Sequence, residues 1–287
     1  MQFEGVSAFV RDGKSLLAAG PIAVIFDEDS IALDETVAHA VEIGFRQVIV
    51  VSPFAPEFSS EPKVHLIAHD FRAEGFQVTL NAIIAVTPPK VWVLSCFNAE
   101  FLWYPFLESR SVGELCAFHG EERRSAFFTM VVDAYGAVDA DDPGHLKRDE
   151  TWFDGAGYYA LARHDPVHPL VTLERQIDLY GGLRWRLEQL LPWDRRRIDR
   201  ISLFQAQPGL EMRADHTLND AEMNTVSCPW HHNLTVAVVS FRAAKALKAN
   251  ATTRDLVGDL RYDGSVRFDW TSGQLMQLGM IDPGQWF

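Results

Sequence analysis

Three carboxylates of this chain stand where a sequence pattern favours chemistry. Glu100 follows the apolar run 91–94 after a short polar break, Asp133 ends the run 126–132, and Asp154 lies among aromatic residues. A carboxylate can hold a hard cation such as Mg²⁺ or take a proton from a hydroxyl group. The structural alternatives are a strand-end ion pair with an arginine for Glu100, a strand terminus for Asp133, and an aromatic core cluster for Asp154.

Two arginines follow a pair of glycines, in the segment 181–186 with the sequence Gly-Gly-Leu-Arg-Trp-Arg. Guanidinium groups suit the oxygens of a diphosphate. Arg184 and Arg186 face different directions if the segment is helical and converge if it is a loop or a strand. The alternative is a structural pair that closes the Gly-Gly turn.

Histidines 216, 231 and 232 offer nitrogen ligands, which Mn²⁺ accepts more readily than Mg²⁺. Their spacing is not that of a zinc finger, and no Cys-x-x-Cys pair accompanies them. The alternative is that these histidines are exposed or are satisfied within the fold. Cys96, at a predicted strand end, is expected to be a buried strand cysteine.

The first part of the chain supplies the elements that position these groups. Short apolar runs predict buried strands, and amphipathic segments predict helices. The predicted strands are 22–26, 47–52, 64–68 and 91–94, and the predicted helices are 31–43, capped by Ser30, and 76–85. This alternation predicts an α/β sheet with parallel strands, in which ligands bind beyond the carboxyl ends.

The second part of the chain has a different pattern. It predicts strands at 126–132 and 198–205, a charged loop at 139–150, and a strand followed by a helix at 236–250. It also predicts a long helical stretch at 173–191 that the two glycines interrupt. The expected organisation is an α/β half, residues 1–110, and a mixed α+β half, residues 111–287, packed as one continuous unit.

Composition excludes several classes of function. The 287 residues carry a net charge of −13, so the chain has no general attraction for nucleic acid. Three widely spaced cysteines favour a reducing compartment, and the N-terminus lacks the pattern of a signal peptide. No apolar run approaches the length of a membrane span, about 20 residues. The expected location is the cytoplasm, and no transmembrane segment is expected.

Several segments, taken in order, resemble a known family. They are Val37–Val51, Trp92–Leu102 with Pro105, Phe128–Tyr135, Phe153–Tyr158, Gly181–Arg186, Ile201–Leu203, and the histidines 216, 231 and 232. Together they resemble the family-2-like glycosyltransferases of the GT-A fold, and most of all a bacterial subgroup with an acidic DxDEF strand end. The resemblance implies a mostly parallel sheet flanked by helices that continues into a mixed α+β half.

The resemblance also implies a site. It would bind a nucleotide-sugar donor through Glu28, Asp29, Asn98, Glu100, Arg184 and Arg186, and its base would be Asp154 or Asp133. A glycan or another cell-surface precursor would accept the sugar. The leaving diphosphate would be neutralised by Mn²⁺ or Mg²⁺ on Glu100, His216 and His232, or by arginines without a metal.

The chain departs from the family where metal and diphosphate should bind. The two aspartates of the motif fall on Phe97 and Ala99, with Asn98 between them. Two hypotheses follow. The first is a hexosyltransferase, with which the ordered resemblance agrees. The second is a GT-A domain with a degenerate donor site that binds a glycan, a nucleotide or a protein partner.

Overall fold

The computed structural model describes residues 1–54, 56, 61–138, 146–257 and 259–287. Its strands are β1 Gln2–Phe3, β2 Ile22–Phe26, β3 Gln47–Ser52, β4 Val64–Ala68, β5 Trp92–Phe97, β6 Glu100–Trp103, β7 Ala126–Val138, β8 Leu146–Asp154, β9 Tyr159–His164, β10 Thr172–Tyr180, β11 Asp199–Gln205, β12 Val236–Ser240 and β13 Ser265–Arg267. Its α-helices are α1 Val6–Asp12, α2 Leu33–Glu42, α3 Phe76–Val86, α4 Val112–Glu121, α5 Gly182–Arg186, α6 Arg242–Ala249, α7 Arg254–Val257 and α8 Ser272–Gln277.

The chain forms two compact units, each assembled from separate stretches. Unit 1 consists of Met1–Ala99, Ser109–Phe127 and Ile201–Asn224. Unit 2 consists of Glu100–Glu108, Phe128–Arg200 and Thr225–Phe287. The expected division into residues 1–110 and 111–287 stays a prediction.

Unit 1 is built on a mostly parallel sheet. Its strands lie in the order β1-β4-β3-β2-β5, and each neighbouring pair is parallel. The unit 1 part of β11 adds an antiparallel strand, with Leu203 opposite Leu94. The predicted α/β class with parallel strands is therefore confirmed. Strands β2, β3 and β4 begin and end where the sequence places them, whereas β5 runs three residues further than predicted.

The order of these strands creates a switch point between β2 and β5. From β2 the chain passes through α2 to β3 on one side, and from β4 it passes through α3 to β5 on the other side. In open α/β sheets the crevice for a ligand lies at the carboxyl ends of the two strands where the order reverses. The first candidate location for a site in unit 1 is therefore the end of β2 and β5.

The apolar runs of the sequence become the centre of the unit 1 sheet. All five residues of β2 are buried, and β3 is buried from its second residue onward. A strand covered on both faces needs an apolar side chain at almost every position, which explains why these runs do not alternate.

Helix α2 begins differently from the prediction. Ser30 does not cap it, because Asp27 binds both the Ser30 backbone N–H, at 2.7 Å, and the Ser30 hydroxyl, at 3.3 Å. The helix starts after Ala32, which adopts a left-handed conformation with φ 52°, and it has no side-chain cap. Asp34 and Glu35 in its first turn instead complement the helix dipole.

Unit 2 is a mixed α+β unit. Strand β12 is parallel to β7, with Val236 opposite Thr129, and antiparallel to β6. The antiparallel pairs β7–β8 and β8–β13 extend this sheet, and β9 with β10 forms a separate two-stranded ribbon. The predicted strand followed by a helix at 236–250 is confirmed as β12 and α6.

The prediction of a long helix at 173–191 was wrong. Residues Thr172–Tyr180 form strand β10, and only Gly182–Arg186 is α-helical. Backbone geometry explains the break, since Gly181 has φ 148° and a Cβ there would lie 2.7 Å from the carbonyl oxygen of Gly157. Of the predicted loop 139–150, residues 139–145 lie outside the described residues, and the remainder belongs to β8.

No helix in the described part of the chain combines the length and the apolar character needed to cross a bilayer.

Candidate functional site

Aromatic rings close the carboxyl ends of β2 and β5 in unit 1. Phe97 is only 3% exposed, and its ring centroid lies 5.8 Å from that of Phe26 and 5.4 Å from that of Phe76. Phe71 packs 4.9 Å from Phe26, and the ring of His216 stacks on Phe76 at 4.3 Å. We call these five residues the aromatic cluster. Phe97 is thus a core residue at the switch point.

Both the oxygen and the nitrogen of the Asn98 side-chain amide form hydrogen bonds with the loop between β2 and α2. Its Oδ1 accepts a hydrogen bond from the Glu28 backbone N–H at 2.8 Å. Its Nδ2 donates to the carbonyl oxygen of Ile31 at 2.9 Å and to the Asp29 carboxylate at 2.5 Å. The predicted donor-binding residues Glu28, Asp29 and Asn98 therefore do lie together, and Asn98, which is fully buried, holds the loop in place.

Ala99 has an unusual backbone conformation. Its φ is 59°, in the left-handed region, and its side chain is fully buried. Its N–H donates to the hydroxyl of Thr36 at 2.9 Å. The left-handed region costs most residues about 1–2 kcal/mol, and aspartate and asparagine tolerate it better than alanine. Ala99 therefore occupies a backbone conformation that costs an alanine more than it would cost an aspartate or an asparagine.

Glu100 forms a buried ion pair in unit 2. Its two carboxylate oxygens accept hydrogen bonds from the Arg200 guanidinium at 3.1 and 2.6 Å, and Oε1 also accepts from the Ser240 hydroxyl at 2.9 Å. Glu100 is 2% exposed and Arg200 is 5% exposed. Bidentate pairing satisfies the carboxylate on both oxygens, so Glu100 ties β6, β11 and β12 together.

Asp133 and Arg184 form a second bidentate pair in unit 2. Arg184 Nε lies 2.7 Å and Nη2 lies 3.0 Å from the carboxylate oxygens of Asp133, which is 3% exposed. The remaining nitrogen of Arg184 donates to the carbonyl oxygen of Arg197 at 2.9 Å. Asp133, a candidate base, and Arg184, a candidate diphosphate ligand, therefore bind each other.

Asp154 and Arg186 repeat this arrangement. Arg186 Nε and Nη2 each lie 3.0 Å from an oxygen of Asp154, which is 1% exposed. The Tyr135 hydroxyl donates to the same carboxylate at 2.5 Å. Burial, and then the neighbouring Asp154 carboxylate, raises the pKa of Tyr135, so this hydroxyl keeps its proton and remains a donor.

The two glycines at the start of α5, Gly181 as its N-cap and Gly182 as its first residue, make both pairs possible. A Cβ on Gly181 would lie 2.5 Å from the Tyr158 ring, and one on Gly182 would lie 2.9 Å from the Tyr158 hydroxyl. The chain therefore turns against Tyr158 and enters a short helix. As expected for residues two apart on a helix, Arg184 and Arg186 reach different carboxylates.

The predicted metal ligands are distributed over both units. His216 belongs to unit 1 and stacks within the aromatic cluster, whereas Glu100 and the exposed His232 belong to unit 2. Among the described residues, no group of three or more His, Cys, Asp or Glu side chains is arranged to hold a metal ion. A role for Mn²⁺ or Mg²⁺ stays a prediction from the resemblance.

Unit 2 also contains a cavity that the sequence did not indicate. Its volume is about 350 Å³, and we call it the unit 2 cavity. The lining residues are mostly apolar with a few polar groups: Phe128, Met130, Tyr158, Tyr159, Ala160, Leu179, Ile198, Val226, His232, Asn233, Thr235, Leu278, Gly279, Met280 and Asp282. Such a composition is typical of small-molecule sites.

The lining residues come from seven separate stretches of the chain, so no local motif could reveal the cavity. Two signals were present in the sequence: the aromatic segment around Tyr158 and Tyr159, and the run His231-His232-Asn233. The aromatic segment was interpreted as the surroundings of a catalytic aspartate, and the histidine run was interpreted as a source of metal ligands.

No protein-family model matches the chain, and a comparison with curated proteins gives no match.

Proposed function

We propose that this protein is a glycosyltransferase-like protein of the GT-A fold whose donor site no longer transfers sugar, and that it acts as a glycan-binding module in the cytoplasm. The GT-A part of the proposal rests on the ordered segments of the resemblance. The strand order β4-β3-β2-β5, with its switch point between β2 and β5, is compatible with a nucleotide-sugar transferase half.

The observation that carries the loss of transfer is the aromatic cluster. A nucleotide diphosphate needs an open crevice at the strand ends, with a cation or arginines that face it. At the end of β5 the chain has the buried Phe97 ring, packed against Phe26 and Phe76. Opening this crevice requires the removal of a fully packed aromatic side chain from the core.

The ion pairs of unit 2 support the same proposal. Sugar transfer needs a carboxylate that is able to take a proton from the acceptor hydroxyl. Asp133 and Asp154 are buried and each accept two hydrogen bonds from an arginine. These contacts occupy the oxygens on which a substrate hydroxyl would bind.

Charge favours a neutral ligand over a nucleotide or another polyanion. The net charge is −13, and Arg184 and Arg186, which were predicted to bind diphosphate, are neutralised by aspartates. A glycan without charged groups meets no such repulsion. Of the binding roles open to a degenerate domain, glycan binding therefore fits the chain best.

Thermal unfolding with nucleotides tests the loss of donor binding. The protein is heated with uridine or guanosine diphosphate, each with and without Mn²⁺, and with Mn²⁺ alone as the control for binding to surface carboxylates. A ligand at 100 times its dissociation constant stabilises the folded state by about 2.7 kcal/mol. We expect no stabilisation by any nucleotide beyond that of Mn²⁺ alone. A nucleotide-specific increase in the unfolding temperature would overturn the proposal and support a transferase.

A further inference from the structure

The unit 2 cavity contains a buried donor that has no partner among the described residues. Asn233 lines the cavity and is 3% exposed. Its Oδ1 accepts a hydrogen bond from the Cys228 backbone N–H at 3.3 Å, which fixes the orientation of the amide. Its Nδ2 makes no hydrogen bond within the described part of the chain. An unsatisfied buried donor costs about 1–3 kcal/mol, and an acceptor group on a ligand removes this cost.

Other polar groups around the cavity offer both donors and acceptors. The Thr235 hydroxyl oxygen accepts from the Asp282 backbone N–H at 2.8 Å, so its own proton is available to donate. Asp282 accepts from the Gly284 N–H at 2.8 Å with one carboxylate oxygen, and its second oxygen remains an acceptor. The exposed imidazole of His232 adds a further polar edge. A matching ligand must therefore both donate and accept hydrogen bonds, as hydroxyl groups do.

The charge of the lining argues against an anion. Among the described residues that line the cavity, none is Lys or Arg, and Asp282 contributes a carboxylate. A phosphate or carboxylate group would lie beside the like charge of Asp282 without a lysine or arginine to pair with, which is unfavourable. The ligand is consequently expected to be neutral.

Two tyrosines give the cavity an aromatic surface. The Tyr158 hydroxyl donates to the carbonyl oxygen of Asp154 at 2.7 Å, which holds its ring in place. Tyr159 stacks on Tyr180 at 5.6 Å between ring centroids and is still 42% exposed. The C–H face of a pyranose ring packs on such a surface while its hydroxyl groups point to the polar edges.

We propose that the unit 2 cavity binds one neutral saccharide residue, with its C–H face on Tyr159 and its hydroxyl groups on Asn233, Thr235 and Asp282. This inference rests on the proposed glycan-binding function and assigns it a place. A volume of about 350 Å³ lies near the lower end of the range of ligand sites, which suits a single sugar rather than a long chain.

Saturation-transfer NMR on the whole protein tests the proposal. The probes are the methyl glycosides of glucose, galactose, mannose, rhamnose and N-acetylglucosamine, and glucuronic acid methyl glycoside serves as an anionic comparison. We expect at least one neutral glycoside to receive saturation and the anionic one to receive none. The dissociation constant of the best probe is then measured for variants.

Two surface variants and two matched controls locate the site. Tyr159→Ala and His232→Ala are each expected to weaken binding about tenfold, the loss of roughly one good contact. Leu161→Ala, on the same strand as Tyr159 and 50% exposed, and His168→Ala, at another exposed histidine, are expected to leave it unchanged. All four positions are exposed enough for the fold to tolerate alanine.

The outcomes separate the two proposals. Binding of a neutral glycoside that none of the cavity variants weakens would overturn the assignment to the cavity and leave the glycan-binding function standing. Absence of binding for every glycoside, also at millimolar concentrations, would overturn both. Preference for the anionic glycoside would overturn the neutral ligand class.

Discussion

The end of β5 in unit 1 and the cavity of unit 2 use polar and aromatic residues in opposite ways. At the end of β5, rings pack on rings, and the amide of Asn98 donates and accepts in a complete set of bonds. In the cavity, Tyr159 is partly exposed, and the buried amide of Asn233 has an unused donor within the described residues. The first region resembles a family site in sequence and has the packing of a core. The second has no motif and the physical properties of a site.

Whether polar groups have hydrogen-bond partners within the fold is therefore a better guide to binding than the presence of their residue types. The sequence predicts site roles for Glu100, Asp133 and Asp154, yet each is buried and bound to an arginine. Carboxylates that serve a substrate must keep an oxygen available for it. The following changes test whether the two regions differ as described.

The largest effect is expected from truncation of Phe97. Phe97→Ala removes a buried ring from the aromatic cluster and its edge contacts, so we expect the free energy of unfolding to fall by about 4–6 kcal/mol. The measurement is denaturant unfolding, with Phe54→Ala, at a phenylalanine of unit 1 that is 48% exposed, as the control. A loss for Phe97→Ala as small as that for the control would mean that Phe97 is not packed as a core residue.

A nearly equal effect is expected from Glu100→Ala. The Arg200 guanidinium would lose the carboxylate that neutralises it in a buried environment, which costs about 3–5 kcal/mol. Glu74→Ala is the matched control, because Glu74 pairs with His69 at an exposed position and should cost less than about 1 kcal/mol. If Glu100 were instead a cation ligand, Glu100→Ala would leave the free energy of unfolding without metal unchanged and would abolish the stabilisation by Mn²⁺.

An intermediate loss of stability is expected as the pH falls. Burial, opposed by a hydrogen bond to Ala126 and assisted by the charge of Arg124, lowers the pKa of His119 from 6.5 to about 3. The unfolded state therefore binds the proton first, so stability is complete above pH 6.5 and is lost as the pH falls toward 3. Between pH 6.5 and 4.5 this single group should cost about 2–3 kcal/mol.

The pH series is measured by denaturant unfolding of the protein and of His119→Gln. His65, whose pKa is lowered to about 4 by burial and then by the charge of the N-terminus, adds a loss in the same direction. The variant should show a shallower decline below pH 6.5, whereas His168→Gln, at an exposed histidine, should follow the original curve. Equal slopes for all three proteins would show that His119 is accessible to water in unit 1.

The smallest effect is expected at Ala99. Its left-handed backbone suits glycine, so Ala99→Gly should relieve about 1–2 kcal/mol of strain. The greater freedom of the unfolded glycine and the loss of a fully buried methyl group offset most of this gain, so we expect the free energy of unfolding to change by less than about 1 kcal/mol. Ala126→Gly, at a buried alanine in β7, loses a methyl group without any relief of strain and should destabilise the protein more. Equal destabilisation by the two changes would show that Ala99 carries no strain.

The fold of unit 1 could largely be predicted because its strands are buried on both faces. Continuous apolar runs gave β2, β3 and β4 with their correct ends, and Gly75 and Thr87 flank α3, whose predicted end differs by one residue. The helix prediction for the segment 173–191 was wrong for the opposite reason. Its half-exposed residues carry little periodicity, and tertiary contacts around Gly181 decide between strand and helix.

The candidate site could be predicted only as a set of residue types. The sequence identified Asp133, Asp154, Arg184 and Arg186, but not that the arginines and aspartates pair with one another. Ion pairing across 32 or 51 residues leaves no local pattern in a single sequence. The unit 2 cavity could not be predicted for the same reason. Asn233 is of interest there only because its Nδ2 has no hydrogen-bond partner among the described residues.

Methionine methyl NMR compares the two regions in one sample. Met130 and Met280 line the unit 2 cavity, whereas Met212 and Met223 belong to the core that contains Phe97. With ¹³C-methyl methionine, we expect a neutral methyl glycoside to shift the signals of Met130 and Met280, and uridine diphosphate with Mn²⁺ to broaden neither Met212 nor Met223. Paramagnetic broadening of Met212 or Met223 that depends on the nucleotide, without any shift of Met130 and Met280 by glycosides, would contradict this expectation.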